Sequence, residues 1–341
     1  MSNKARVTLR DIAHRANVSV STVSRALNNY EYVDEDTRQA IYRVADLLGY
    51  PLENLRTTPP DAERKIYLIS VEREGVQRSV DDFDFLVSEG ARLELEARGF
   101  GYSRLHNYSR SLSAESDTWQ KAVSASGVLW VGGVIDRDFL TVVQSRHIPL
   151  VLVGGHALPL HVNCVMANYV YGTMAAVDHL SAKGKKNIGL VNGPPTTATS
   201  AEKVHGLCAA LCRHNLPFST AQIAENVTGW FDADSGYQQT FVLLDQFPQA
   251  DAIIYAGDEM AMGGLTALKE KGYRIPDDIA VIGYHNFEIS RFTDPALTTV
   301  GFDMRLMGQI AAQRLCTLIE QGDDSCWTIL VPTELIVRNS A

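Results

Sequence analysis

Between residues 7 and 50, apolar positions recur every three or four residues, the helical period. Thr8 precedes the first such segment with Asp11 three residues later, a variant of the capping box that satisfies free amides of a first turn. Ile12, Ala13 and Ala16 supply the inward stripe of that helix, and Asn17 ends it. Ser19 is placed to cap a second helix that turns Val23, Ala26 and Leu27 inward. Asp34 caps a third, with Ile41, Val44, Ala45 and Leu48 buried and Gly49 as its stop. Three short helices with a tight turn between the first two predict an all-α helix-turn-helix headpiece over residues 1–50.

Residues 51–65 break the pattern, with Pro51, Pro59 and Pro60 among polar residues, and read as a hinge or linker. From Ile66 onward, short β-rich runs alternate with amphipathic stretches. The predicted strands are Ile66–Val71, Val128–Val131, Leu150–Val153, Ile188–Val191, Ala252–Ala256 and Ile279–Tyr284. The predicted helices lie near 83–98, 172–183, 201–214, 235–246, 259–271 and 303–318. Strongly apolar strands alternating with helices imply parallel sheets covered on both faces. The length of this region exceeds one comfortable core, so residues 66–341 predict a two-lobed α/β domain. Ligands of open parallel sheets sit beyond the carboxyl ends of the strands, which points to a cleft between the lobes.

Charge changes the picture locally rather than globally. A net charge of −9 argues at first sight against a nucleic-acid partner. Up to residue 25, however, Lys4, Arg6, Arg10, Arg15 and Arg25 face a single acid, Asp11. Such a basic face suffices to engage phosphates, while the acidic bulk keeps DNA affinity modest and salt-sensitive. No apolar run approaches a membrane span, and the N-terminus turns amphipathic at once, which predicts a cytoplasmic protein without membrane contact. Five scattered cysteines fit free thiols in a reducing compartment.

The string VTLRDIAHRANVSVSTVSRALNN, followed by VDEDTRQAIYRVADLLGY, closely resembles the headpiece of the lactose-repressor/galactose-repressor family of transcriptional regulators. The runs HLSAKGKKNIGLVNGP, GDEMAMGG, IPDDIAVIGY and DPALTTVGFDMRLMG resemble the same family's core. The resemblance implies a core like that of periplasmic binding proteins. Its first lobe would span about 66–165 plus 301–325, and its second about 166–300 plus 326–341. It also implies a homodimer on a near-palindromic double-stranded operator, a small-molecule effector in the cleft, no cofactor and no enzymatic activity. A sugar or sugar derivative, and control of carbohydrate-utilisation genes, are the leading expectations.

A helix opened by Ser19 puts Val20 and Ser21 where a recognition helix meets base edges in the major groove. Val20 suits a thymine methyl, Ser21 several bases, and Arg25 the paired acceptors of guanine. Thr8, Thr22, Ser24 and Asn28 carry short donors suited to phosphates. Ser19 also reads simply as a cap. The family forms a hinge helix after the headpiece, with an apolar wedge in the minor groove. Here Thr57-Thr58-Pro59-Pro60 departs from that pattern, leaving Leu55 as the candidate wedge.

By resemblance, effector contacts fall on Phe83, Thr199, Lys203, Trp230, Asp258 and His285. Trp230 suits stacking on a ligand. Asp258, directly after a strand, either takes ligand hydroxyls or caps the next helix. Phe83 either walls the cleft or packs under its lobe. Many relatives carry arginine where this chain has Lys203, and aspartate where it has His285. Lysine lacks the planar bidentate grip of arginine, and histidine can add positive charge. These changes give weight to a non-sugar or anionic ligand beside the saccharide reading.

Other classes find little support. No Walker-type phosphate loop, Gly-x-Ser-x-Gly elbow or His-Glu-x-x-His motif is present. His205, Cys208 and Cys212 share a helical face, but Cys208 and Cys212 read as a buried stripe with Leu207 and Leu211 rather than as metal ligands. A solute-binding protein shares the two-lobed core but not the headpiece, and a sugar-acting enzyme lacks any nominable acid–base pair.

Overall fold

The computed structural model describes residues 7–27, 33–48, 50, 65–71, 83–107, 114–132, 135–155, 161–226, 231–323 and 325–341. The chain divides into two compact units, Met1–Glu63 and Arg64–Ala341. The first holds α1 (Leu9–Ala16), α2 (Val20–Leu27) and α3 (Glu35–Leu47). Asn17 takes a left-handed φ of 54° and its amide closes on the Ala13 carbonyl, so α1 stops sharply enough for α2 to start four residues later. Ile12, Ala13, Val23, Ala26, Leu27, Val33, Ile41 and Ala45 form its core, while Ala16, Val44 and Leu48 pack half-buried around it.

The second unit has two lobes. The first opens with β1 (Lys65–Val71), α4 (Phe83–Ala97), β2 (Gly101–Asn107), α5 (Asp117–Ala122), β3 (Gly127–Val131), α6 (Arg137–Ser145), β4 (Leu150–Val153) and β5 (Asn163–Ala167). The chain crosses to the second lobe for α7 (Tyr169–Ala182), β6 (Ile188–Asn192), α8 (Ala198–Arg213), β7 (Ile223–Glu225), α9 (Ala233–Gln246), β8 (Ala252–Tyr255), α10 (Asp258–Glu270), β9 (Ala280–His285) and β10 (Thr298–Gly301). It returns for α11 (Met304–Gln321) and β11 (Thr328–Val331), then crosses again to β12 (Glu334–Ile336). The sheet orders are β11-β5-β4-β3-β1-β2 and β12-β10-β9-β8-β6-β7.

Two expectations change. The second sheet is not wholly parallel, because β12 runs antiparallel to β10 at its edge. The last crossing falls later than 325/326, since β11 pairs with β5 and keeps the chain in the first lobe through Val331. A parallel partner for β5 extends the first sheet, and Arg314 on α11 secures the approach by donating to Asn163 Oδ1 at 2.8 Å and the Ser325 carbonyl at 2.6 Å.

Each lobe packs one helix pair at unusually close range. A Cβ on Gly90 would lie 1.9 Å from the Arg305 carbonyl oxygen, and one on Gly308 would lie 1.9 Å from that of Val87, so α4 and α11 touch backbone to backbone. Gly236 and Gly263 do the same for α9 and α10, with Cβ approaches of 2.0 and 1.8 Å. One apolar cluster continues from lobe to lobe through Tyr169, Tyr284, Val300 and Met304. At its centre the Tyr284 hydroxyl lies 2.6 Å from Thr173 Oγ1 and donates to the Tyr169 carbonyl at 3.2 Å. No helix among the described residues is long and apolar enough to cross a membrane.

Candidate functional site

On the headpiece, the Asp11 carboxylate accepts from the Thr8 amide at 2.8 Å and the Thr8 hydroxyl at 2.7 Å, which lowers its pKa. Thr8 is thereby engaged at the start of α1, though it stays exposed. Ser19 Oγ accepts from the Thr22 amide at 3.0 Å and lies 2.7 Å from the hydroxyls of both Ser21 and Thr22. Ser19 therefore caps α2. Val20 is 42% exposed although apolar, and Ser21 and Arg25 are exposed beside it. Thr22 and Ser24 are half-buried. Asn28 and Leu55 lie outside the described residues.

In the core unit, Phe83 opens α4 and His285 ends β9, and their rings meet at 6.3 Å. Gly154 permits this arrangement, since a Cβ there would fall 2.8 Å from Phe83 Cζ, and its φ of 84° suits glycine. Phe287 and Phe302 complete an aromatic surround of His285, at 5.1 and 5.7 Å. His285 and Asn286 hold left-handed φ values of 99° and 55°, a strain of roughly 1–3 kcal/mol each that the surrounding packing must sustain. Burial, and then the neighbouring Lys203, lower the His285 pKa to about 3. The imidazole is neutral at ordinary pH, which corrects the expectation that it adds positive charge.

Lys203 lies on the inner face of α8 and is 1% exposed. Gly206, one turn on, lets α8 press against α7, for a Cβ there would meet the Val170 carbonyl oxygen at 2.6 Å. Lys203 Nζ consequently reaches the Tyr169 ring at 4.3 Å, the Tyr284 ring at 4.9 Å and the Phe231 ring at 5.8 Å. Burial lowers its pKa to about 7. Thr199 sits half-buried one turn earlier on α8, 3.4 Å from the Thr197 hydroxyl. At the end of β6, Asn192 donates to the Ser200 carbonyl at 3.1 Å, and its Oδ1 has no partner among the described residues.

Asp258 follows β8, as expected, but does not cap α10, for it is the first helical residue and Gly257 is the cap. Its carboxylate accepts from Thr299 Oγ1 at 2.6 Å and from the Phe287 amide at 2.8 Å. Burial raises its pKa to about 7, against the pull of both bonds. Asp258 thus ties the loop after His285 to the start of α10.

The structure brings Phe83, Lys203 and His285 to one place between the lobes, with Asp258 behind them. Trp230 lies outside the described residues, and Phe231 next to it supplies a ring beside Lys203. Tyr169, Tyr284 and Phe231 also belong to the site, and their wide separation along the chain gives no local signal. A cavity of about 470 Å³ opens alongside, lined by Leu86, Phe302 and Met304 on one side and His285, Phe287 and Arg338 on the other. Of the predicted effector residues only His285 lines it. Cys212 is exposed and Cys208 half-buried, so the buried stripe of α8 belongs to Leu207 and Leu211 without them.

Residues 8–51 match the bacterial regulatory proteins of the lacI family, and residues 177–341 match a periplasmic binding protein-like domain. The chain is 29% identical to the probable HTH-type transcriptional repressor ExuR of Bacillus subtilis (strain 168), across 98% of both chains. It is 30% identical to the HTH-type transcriptional repressor PurR of Escherichia fergusonii, across 98% of this chain and 96% of that one. Among solved structures it resembles a transcriptional regulator CelR–cellobiose complex, with a TM-score of 0.74 and 25% identity over 98% of this chain and 100% of that one. It also resembles the lac repressor dimer bound to operator and the anti-inducer ONPF, with a TM-score of 0.67 and 26% identity over 98% and 99% of the two chains.

Proposed function

The chain belongs to the lacI family of bacterial regulatory proteins, DNA-binding transcriptional repressors rather than enzymes, and from that premise we propose how its parts divide the work. Residues 1–50 read DNA, 51–65 link, and 66–341 bind an effector and dimerise in the cytoplasm. The exposed Val20, Ser21 and Arg25 of α2 read base edges, while Thr8, Thr22, Ser24 and Asn28 hold phosphates, with Leu55 as the minor-groove wedge. A homodimer presents two such heads to a near-palindromic operator, because two-fold protein symmetry requires matched half-sites. The dimeric, operator-bound lac repressor supports this by similarity.

The effector is a small molecule between the lobes, a sugar or sugar derivative, in keeping with the cellobiose bound by CelR. The observation that carries this reading is the meeting of Phe83 from the first lobe with His285 from the second, which Lys203 neighbours in turn. A ligand touching both lobes changes their relative orientation, and a coupling of about 1–3 kcal/mol to the DNA-bound state gives 5–150-fold control. Selecting bound duplexes from a random pool, then measuring operator affinity with and without candidate sugars, tests the reading. A protein that selects no duplex at moderate salt, or whose operator affinity ignores every small molecule offered, does not work this way.

A further inference from the structure

Two cations among the described residues are fully withdrawn from solvent, and they are treated very differently. Arg314 spends its guanidinium on Asn163, Asp323 and Ser325. Lys203 makes no hydrogen bond or ion pair with any described residue, and the contacts of its ammonium among them are to rings. A buried ammonium without a partner is costly, and cation–π contact recovers about 0.5–2 kcal/mol of that cost. Its place is the inner face of α8, at the carboxyl ends of the strands, where open parallel sheets receive ligands.

Resting on the effector reading above, we propose that the ligand carries an anionic group, a carboxylate or phosphate, that binds Lys203 Nζ and draws one proton into the site. Among the described residues, none sets a carboxylate against Lys203 that would otherwise do this. Tyr169 on α7 and Tyr284 on β9 are held neutral by burial, and His285 is held neutral as well. Asp258, at the start of α10, is occupied by Thr299 and Phe287. Glu202 and His205 share α8 with Lys203; Glu202 is half-buried and engaged elsewhere, and His205 is exposed. Burial alone sets the Lys203 pKa near 7, so at pH 8 the free protein holds this amine mainly uncharged. An anion against Nζ restores the charged form, and the proton comes from the buffer. Asn192 at the end of β6 bonds through its amide to Ser200, one turn before Lys203. Its Oδ1, without a partner among the described residues, is an acceptor for a ligand hydroxyl, so a hydroxylated acid suits the site better than a bare ion.

The test is calorimetric titration of the full-length protein at pH 8 with D-glucose, D-gluconate, D-glucuronate and D-glucose 6-phosphate, in two buffers of different ionisation enthalpy. At least one acid should bind tenfold or more tightly than glucose and take up close to one proton. The carboxylates and the phosphate separately report which anion the site accepts. Lys203→Met should abolish both the preference and the uptake, whereas Lys203→Arg, always charged, should keep the preference and lose the uptake. An NMR titration of ¹³C-labelled lysine in the ligand-free protein should show one resonance with a midpoint near 7 that Lys203→Met removes. Glucose binding as tightly as the acids, or acid binding without proton uptake, overturns the proposal and leaves the effector reading standing. A normal lysine midpoint with no response to any of the four compounds overturns the proposal on its own. Loss of effector control altogether is seen separately, as operator affinity that no small molecule alters.

Discussion

The rings of Phe83 and His285 lie 6.3 Å apart at an interplanar angle of 40°, although one opens the first helix of the first lobe and the other ends a strand of the second. Neither residue can hold that distance unless the lobes keep their relative orientation. Phe83 also rests on the bare backbone of Gly154, so its position is fixed from the first lobe, while the left-handed backbone at His285 and Asn286 aims the imidazole from the second. This contact therefore reports the inter-lobe geometry.

Phe83→Ala removes the ring from a half-buried site and should weaken effector binding by roughly tenfold, about 1.4 kcal/mol. Operator affinity without effector should change less than operator affinity with it. Titration calorimetry and fluorescence anisotropy on the same preparation check both. Equal effector affinity in variant and wild type would mean that Phe83 merely packs under its lobe.

Buried Asp258 and Lys203 and half-buried His285 make stability depend on pH in ways that partly conceal one another. The Asp258 pKa is raised from 3.8 to about 7, so its contribution is complete below pH 4 and is lost as pH climbs through 7. His285, lowered from 6.5 to about 3, acts oppositely: its contribution is present above 6.5 and lost as pH falls towards 3. Lys203, lowered from 10.5 to about 7, makes the protein gain stability from pH 7 to 10.5. The wild-type curve thus masks the acid limb, and Asp258→Asn exposes it. That variant keeps a side-chain acceptor for the Phe287 amide and carries no charge. Relative to wild type it should gain stability progressively from pH 4 to 7, by up to roughly 4 kcal/mol, with no gain below pH 4. Urea unfolding at pH 4, 5.5 and 7 measures the trend, and a pH-independent difference would refute it.

Much of this architecture was legible in the chain, and the omissions have physical causes. Runs such as Leu150–Val153 are buried on both faces, so composition alone marks them as strands. The edge strand β2 carries Ser103, Arg104, His106 and Asn107, which erase that signature. β10 is buried yet half threonine: Thr299 donates to Asp258, and Thr298 accepts from the Arg338 amide. Hydroxyls satisfied by distant partners cannot be foreseen from local pattern. The same limit applies in the cleft. Family resemblance pointed to Lys203, but the rings around the amine come from residues 169, 231 and 284, which only the tertiary fold assembles.

The glycine contacts predict a lobe-specific lesion. Gly90→Ala or Gly308→Ala places a methyl within 1.9 Å of a backbone carbonyl oxygen, and no flexible side chain can yield. Separating α4 from α11 should cost at least 1–3 kcal/mol, the usual range for overpacking. Gly236→Ala should produce the same loss in the second lobe through α9 and α10. Gly99→Ala is a useful contrast, because nothing lies within 4 Å and only its φ of 72° is strained. Thermal unfolding should rank Gly99→Ala clearly milder than the other three.

The headpiece separates residues that build α2 from residues that read with it. Ser19 Oγ accepts the Thr22 amide, so Ser19→Ala should lower headpiece stability by about 1 kcal/mol. Because it loosens the whole helix, it should weaken binding to specific and random duplexes together. Arg25 and Val20 are exposed and contribute little to the Ile12–Val23–Ile41 core, so truncating them should leave folding within about 0.5 kcal/mol. Arg25→Ala should instead cost about 1–3 kcal/mol on the selected operator and relax base preference at one position per half-site. Its effect on random DNA should be confined to one lost charge, visible as a shallower salt dependence. Binding measured over a series of salt concentrations, on operator and on scrambled duplex, distinguishes the two behaviours. If Arg25→Ala weakened both duplexes equally, Arg25 would be a phosphate contact, and base discrimination on α2 would fall to Val20 and Ser21.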